Sequence, residues 1–354
     1  MNKDSFRSLL KWLKEQPSIE AKATMYLISV GFALLLFAIT VLAMGYSPLL
    51  ALETLIVSSL GGKTRLAETL VRMIPLIFTG TSVIIAFKAN FWNLGVEGQL
   101  YWGAIALTYV GLFLANLTAP IQLLLAFSLA FLAGALWALI PGALKAYLGV
   151  NEIVTTIMMN YIVLLIVDWL ATGPWHDPMG FEPITYPISE YIRLPKIIMG
   201  TRFHTGLLIA LACVVVTYII LERRTLGYEI KAVGDNVNAA KRSGINIVKV
   251  IILTAFLSGG IAGLAGASEI AGVHYRLLRG ISPGYGFTGI IIALIAKKSL
   301  VWSIPVAFFF AMLLLGSDAF QRTISMPAGA IYAIQAMIAL CILMPEYALR
   351  RLKL

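Results

Sequence analysis

The sequence predicts an all-α, polytopic membrane protein of about ten transmembrane helices, with both termini on the cytoplasmic side and two halves related as an inverted repeat. Three observations carry this expectation. Hydrophobic residues make up 60% of the 354-residue chain and charged residues only 12%, against about 45–50% and about 25% in soluble domains. Runs such as MYLISVGFALLLFAITVLAMG (25–45) and IQLLLAFSLAFLAGALWALI (121–140) are long enough to cross a hydrocarbon core of about 30 Å as helix. The lysines and arginines gather in segments that an alternating topology places on one side of the membrane.

Taken in chain order, residues 1–24 are polar and charged and lack the short apolar core of a secretion signal. Phe6, Leu9, Leu10 and Leu13 fall at i, i+3, i+4 and i+7, flanked by Lys3, Arg7, Lys11 and Lys14. This is the pattern of a basic amphipathic helix lying on the cytoplasmic membrane surface. Residues 25–354 then read as one transmembrane domain. Its spans begin near Tyr26, Leu70, Gly95, Pro120, Asn151, Thr205, Val248, Phe287, Trp302 and Pro327. With the N-terminus inside, the basic clusters at 223–249, 297–298 and 350–353 all fall on the cytoplasmic side, together with Lys88 and Lys145. The net charge of +10 is accounted for by anchoring against anionic lipid and calls for no nucleic-acid partner.

Two segments between spans are substantial. Residues 172–203 hold five prolines and several aromatics, and read as an external cap. Residues 222–246, ERRTLGYEIKAVGDNVNAAKRSGIN, read as a cytoplasmic loop. Ile230, Val233 and Val237 lie on one side of it, Asp235 or Asn236 can cap a short helix over 238–243, and Gly244 can stop that helix.

The stretch FKANFWNLGVEGQLYWG (87–103) places polar groups between two apolar runs. A solvated loop would explain its lysine and amides, but not Phe91, Trp92, Leu94 and Val96 among them. Gly95 and Gly98 permit a broken helix, and such breaks are tolerated at membrane depth where they line a cavity. A second interruption, AGVHYRLLRGISPGYG (271–286), occupies the corresponding place in the second half, so that 65–171 and 248–346 form the expected inverted repeat. Ionisable residues within spans are costly and mark function. Glu97, Glu152 and Glu269 qualify, with Arg72 and Asp318 nearer span ends. Asn93, Gln99, Asn151 and Asn160 are candidate hydrogen-bond partners for a polar solute, and Phe91, Trp92, Tyr101 and Trp102 can stack on a ring. Each of these residues also has a plain structural reading as an interhelical hydrogen bond, interface anchor or packing group.

Catalytic chemistry finds little support. The three histidines are far apart and show no metal-ligand spacing, no HExxH or paired GxGD motif is present, and VSSLGGKT (57–64) misses the phosphate-loop pattern because Val57 stands where glycine is required.

Four stretches resemble one family. FWNLGVEGQLYWGA (91–104), NEIVTTIMMNYI (151–162), RRTLGYEIKAVGDNVNAAKRSGIN (223–246) and SGGIAGLAGASEIAG (258–272) resemble permease subunits of ABC importers, in the branch that serves nucleosides, simple sugars and branched-chain amino acids. The resemblance implies a multi-pass subunit in the cell membrane of a bacterium or archaeon, forming a pathway for nucleosides or related sugars. It implies ATPase subunits that use the ATP, a second permease subunit of the same or a related chain, and an external solute-binding protein. It also implies that Gly227, Gly234, Asn238, Ala239, Ala240, Arg242 and Gly244 couple the membrane helices to the ATPases. The alternative is a secondary transporter driven by an ion gradient, with Glu97 and Glu269 as ion-coupling groups and no use for a docking helix.

Overall fold

The computed structural model describes residues 19–114, 118–180, 182–323, 336–337 and 340–341. The basic stripe near the N-terminus and the span expected from Pro327 lie outside these residues. Twelve helices are described: α1 Ile19–Ala43, α2 Pro48–Leu60, α3 Lys63–Lys88, α4 Val96–Phe113, α5 Ala119–Leu148, α6 Glu152–Thr172, α7 Gly206–Arg223, α8 Thr225–Asp235, α9 Val237–Arg242, α10 Ile247–Glu269, α11 Tyr285–Ile295 and α12 Leu300–Thr323. No strand is present among the described residues; isolated bridges pair His176 with Thr185, Ile184 with Leu278 and Lys196 with His204.

Six of these helices (α3, α5, α6, α7, α10 and α12) are long and apolar enough to cross a membrane. The first expected span falls on α1, and its Gly31–Ala43 part is followed at a bend of 112° by the apolar α2, Pro48–Leu60. The bend follows from Gly45 in the left-handed region, with φ +83°, and from Ser47 and Pro48, which cap and open a new helix. The expected spans at Gly95 and Phe287 correspond to α4, which starts with a polar turn, and α11, which has only 11 residues.

The chain divides into two compact units, 1–61 with 312–354 and 62–311. In the first, Phe37, Val41, Ala51 and Phe320 form a small buried core.

The second unit is organised around α3, α4, α5 and α10. The SGGIAGLAGAS run gives α10 one small-residue face, and small residues let helix backbones touch where no side chain intervenes. A Cβ at Gly103 would collide with the carbonyl of Gly263, one at Gly134 with that of Gly259, and one at Gly266 with that of Leu100. Of α3's best apolar 18-residue window, 89% is buried inside the protein, against 28% for α5. α3 is therefore the central rod, and α5 presents most of its surface outward.

The cap is stitched to the segment that follows α10. There the helix widens into a π turn, Ile270–His274, and Tyr275 is left-handed at φ +58°. Leu194 N donates to Ala271 O (2.9 Å), Ile188 N to Tyr275 O (2.9 Å) and Thr185 N to Leu277 O (3.0 Å). The carboxylate of Asp177 accepts from Met179 N and pairs with Arg276 at 2.6 Å. The backbone N–H of Met179, and then the Arg276 guanidinium, hold that carboxyl below its ordinary value.

Candidate functional site

The site is where two interrupted helices meet. α3 ends at Lys88, and Asn90 turns the chain through the left-handed region at φ +52°. The elbow 89–95 then runs back beside the helix it has just left. Asn93 reaches Ser258 Oγ at 2.8 Å, and Ser258 exchanges hydrogen bonds with Ser82, each 2.8 Å to the other's carbonyl. Ser82 lies six residues before Lys88, about 9 Å of helical rise. The elbow has re-entered the protein by that depth, and Asn93 is wholly buried.

A chain that leaves helical geometry inside an apolar body exposes N–H and C=O groups that must find partners. Here side chains from several helices supply them. Asn93 Oδ1 accepts from Gly95 N (3.1 Å). Asn160, from α6, accepts from Gly98 N through Oδ1 (2.8 Å) and donates to Leu94 O through Nδ2 (2.9 Å), capping the first turn of α4 from across the interface. Asn93 and Gln99 bond reciprocally, 2.9 Å each way. Both amide protons and both lone pairs of Asn93 are thereby used within the chain. Gly98 has to lack a side chain, since a Cβ there would sit 2.8 Å from Asn160 Oδ1.

The second interruption descends to the same point. Gly284 is left-handed at φ +92°, and Ser282 Oγ accepts from Gly284 N (3.2 Å) and Tyr285 N (2.9 Å) at the start of α11. Glu97 completes the cap: its Oε2 accepts from Gly286 N at 2.7 Å, and Ser282 bonds to the same carboxyl. A Cβ on Gly286 would come 2.7 Å from Glu97 Cα. Glu97 thus belongs to the first turn of α4 and seals the first turn of α11, so the positive ends of two helix dipoles converge on one carboxyl. The Tyr101 hydroxyl is turned toward the backbone of Ser282 and Gly280 beside it.

Toward the Lys88 end the elbow is held by ions. Glu152 Oε1 accepts from Trp92 N (3.2 Å) and pairs with Lys145, whose ammonium donates to Asn90 O (3.0 Å) and lies over the buried Phe91 ring. Lys298 donates to Phe87 O at 3.0 Å. Trp92 is 41% exposed and packs on Phe87 with ring centroids 4.7 Å apart.

The structure brings Phe91, Trp92, Asn93, Glu97, Gln99, Glu152 and Asn160 to this one junction. Asn151 is beside it, an exposed N-cap of α6 accepting from Ile153 N. Glu269 is elsewhere, buried at the far end of α10 and 3.5 Å from His274 Nε2. Sequence reasoning missed Ser82, Ser258, Ser282, Lys145, Lys298 and Gly286. Ser282 and Gly286 lie inside the 271–286 interruption, where the Ser-Pro-Gly turn directly before α11 was a readable start signal; the other four have no local signature.

In the 222–246 loop, Asn236 caps the short helix through Ala239 N (3.0 Å), and Gly244 stops it at φ +83°. The sequence expectation needs correcting in two places. Asp235 does not cap the short helix but ends a separate one, α8, which packs through Gly227, Ile230 and Val233. Val237 does not share that face; it opens α9 and is 46% exposed. Asn238, Ala239, Arg242 and Gly244 are exposed, and Ala240 is buried. Gly227 and Gly234 are close-contact glycines: a Cβ would collide with the carbonyl of Leu221 at the first and of Lys88 at the second.

Residues 65–344 match the family described as branched-chain amino acid transport system, permease component. The chain is 34% identical to the glucose ABC transporter permease protein TsgB13 of Haloferax volcanii over 90% of this chain and 87% of that protein. It is 33% identical to the guanosine ABC transporter permease protein NupP of Bacillus subtilis, covering 92% and 93%. With the nucleoside ABC transporter permease protein NupB of Lactococcus lactis it shares 32% identity, covering 84% of each chain. No solved structure matches it.

Proposed function

The chain belongs to the permease-component family of branched-chain amino acid transport systems, and we propose that it forms the transmembrane pathway of an ATP-driven importer for nucleosides or related sugars. It is a multi-pass transport subunit rather than an enzyme. The observation that carries the transport reading is the match over most of the chain to ABC permeases named for guanosine, nucleosides and glucose. The helix Val237–Arg242, small and projecting, with both ends firmly capped, supports the 222–246 loop as the docking element for ATPase subunits. Asn238, Ala239, Arg242 and Gly244 supply the exposed contact, while Gly227, Gly234 and Ala240 hold the helix in place.

In this reading the Lys88, Lys145 and Lys298 end faces the cytoplasm and the cap faces outward, toward a solute-binding protein, in the cell membrane of a bacterium or archaeon. A second permease subunit completes the pathway. The junction residues form the pathway's wall: Trp92 and Asn151 offer exposed atoms, while Phe91, Asn93, Glu97, Gln99, Glu152 and Asn160 fix the break that shapes it. Glu269 contributes at the outer end. Ion-gradient coupling is the weaker reading, because the Glu97 carboxyl is committed to capping α11.

The test is co-purification of the ATPase subunits with wild type and with Ala239→Arg, followed by ATP-dependent uptake of labelled guanosine and glucose in proteoliposomes with the binding protein. The reading expects the exposed-face substitution to release the ATPases from a normally inserted permease. Uptake driven by an ion gradient, without ATP, refutes it.

A further inference from the structure

The 222–246 loop is continuous with α7 and α10, so the obvious route for its motion is along the chain into those helices. The packing offers another. α8 and α9 are separated by Asn236 alone, whose side chain caps α9. α8 lies against the last residue of α3: a Cβ on Gly234 would collide with the carbonyl of Lys88, so the two backbones touch. Glu222 straddles the same place, 3.3 Å from the ammonium of Lys88 and 2.5 Å from that of Lys231 on α8. Lys88 is where the elbow begins, and the elbow ends in the capped turn that carries Glu97.

We propose that Gly234 is a positioning residue for transport: α8 and the end of α3 move as one body, and displacement of α9 reaches the Glu97 junction through the Gly234–Lys88 contact. This rests on the permease reading above. A backbone-to-backbone contact cannot yield as a side chain does, and closely packed groups transmit strain. The elbow it pushes is bonded at Asn90, Trp92 and Asn93, and the end of α3 at Phe87, by side chains of other elements. A shift at Lys88 therefore tilts the elbow as a unit and carries the start of α4, with α11 attached through Glu97.

The experiment uses the complete importer, with its ATPases, partner permease and binding protein, reconstituted in proteoliposomes. ATP-dependent uptake by the unaltered complex is measured first; its absence sinks the permease reading itself, independently of any variant. Gly234→Ala inserts a methyl group between α8 and Lys88. The expected result is that maximal uptake per ATP hydrolysed by the assembled complex falls about tenfold or more, KM unchanged, the scale of an ordinary coupling between sites. Uptake equal to wild type overturns the proposal. A second variant decides should Gly234→Ala fail to fold. Lys88→Cys with Lys231→Cys, in a Cys213→Ser, Cys341→Ser background, is bridged by a short reducible thiol linker that locks α8 to α3. If the two move as one body, the bridged complex transports within about twofold of the unbridged one. Loss of uptake on bridging, restored by reduction, shows that α8 must leave α3 and overturns the proposal.

Discussion

The two interruptions meet at Glu97, yet they are held by different chemistry. The elbow at 89–95 is closed at its deepest point by uncharged groups, Asn93, Gln99, Asn160, Ser82 and Ser258, all nearly or wholly buried. The segment after α10 is fastened by ion pairs, Arg276 with Asp177 and Arg279 with Asp168 at 3.2 Å, while His274 lies 3.5 Å from Glu269. Arg279 is 72% exposed at its side chain, and Arg276 is one-third exposed. The difference follows depth. An amide or hydroxyl can be satisfied in an apolar interior by one or two partners, whereas a buried charge needs compensation that exceeds its desolvation cost. Where water reaches at least one partner, arginine–aspartate pairs serve; at the deepest point of the elbow, amides and hydroxyls do. The buried carboxyls of Glu97 and Glu269 break this pattern; the N-termini of two helices surround the first, and His274 lies beside the second.

The comparison can be broken most severely at its deep end. Asn93→Leu removes four hydrogen bonds, leaving Gly95 N and the Gln99 side chain without Asn93 while Ser258 keeps its exchange with Ser82; the expected loss is at least about 3 kcal/mol, read as a large drop in unfolding temperature of the detergent-purified protein. A stability within experimental error of wild type would mean the amide network contributes little. At the first exception, Glu97→Ala uncaps α11 and is expected to lose about 1–3 kcal/mol, with Glu97→Gln recovering most of it, because the amide oxygen can still accept from Gly286 N. Equal loss in both variants would show that the charge, not the cap, is what matters. Ser282→Ala removes the other half of the cap and is expected to be milder, about 1 kcal/mol, by the same thermal measurement.

The smallest effect belongs to the outer fastening. Asp177 is held below the ordinary carboxylate value, so its contribution is present above the unfolded-chain pKa of about 3.9 and is lost as pH falls through the lower folded value. Limited proteolysis of the cap is expected to quicken only as pH drops below about 4. Asp177→Asn flattens that dependence; an unchanged profile would remove Asp177 from the account.

Much of the site was visible in the sequence. The polar cluster at 87–103 and the Gly-rich break at 271–286 stood out, and both mark departures from helix. Among the residues singled out for hydrogen-bonding a solute, Asn93 and Asn160 bond the backbone of the break, and Gln99 bonds the Asn93 side chain. The short helix after Asn236 was legible because its cap acts over three residues. α8 was not separable from it, since the Gly234 contact that places α8 is with Lys88, far away in the chain.

The membrane class, the apolar helices, the two breaks and the capped loop helix are legible in the chain alone, because hydropathy, caps and left-handed glycines act within a turn or two of chain. What satisfies the breaks comes from helix packing: Asn160 reaches Leu94 across 66 positions, Ser258 reaches Asn93 across 165, and Glu97 reaches Gly286 across 189. Orphaned backbone groups in an apolar interior accept any partner that packing delivers, and that delivery is a property of the assembled helices, fixed by glycine faces that let α4, α5 and α10 touch.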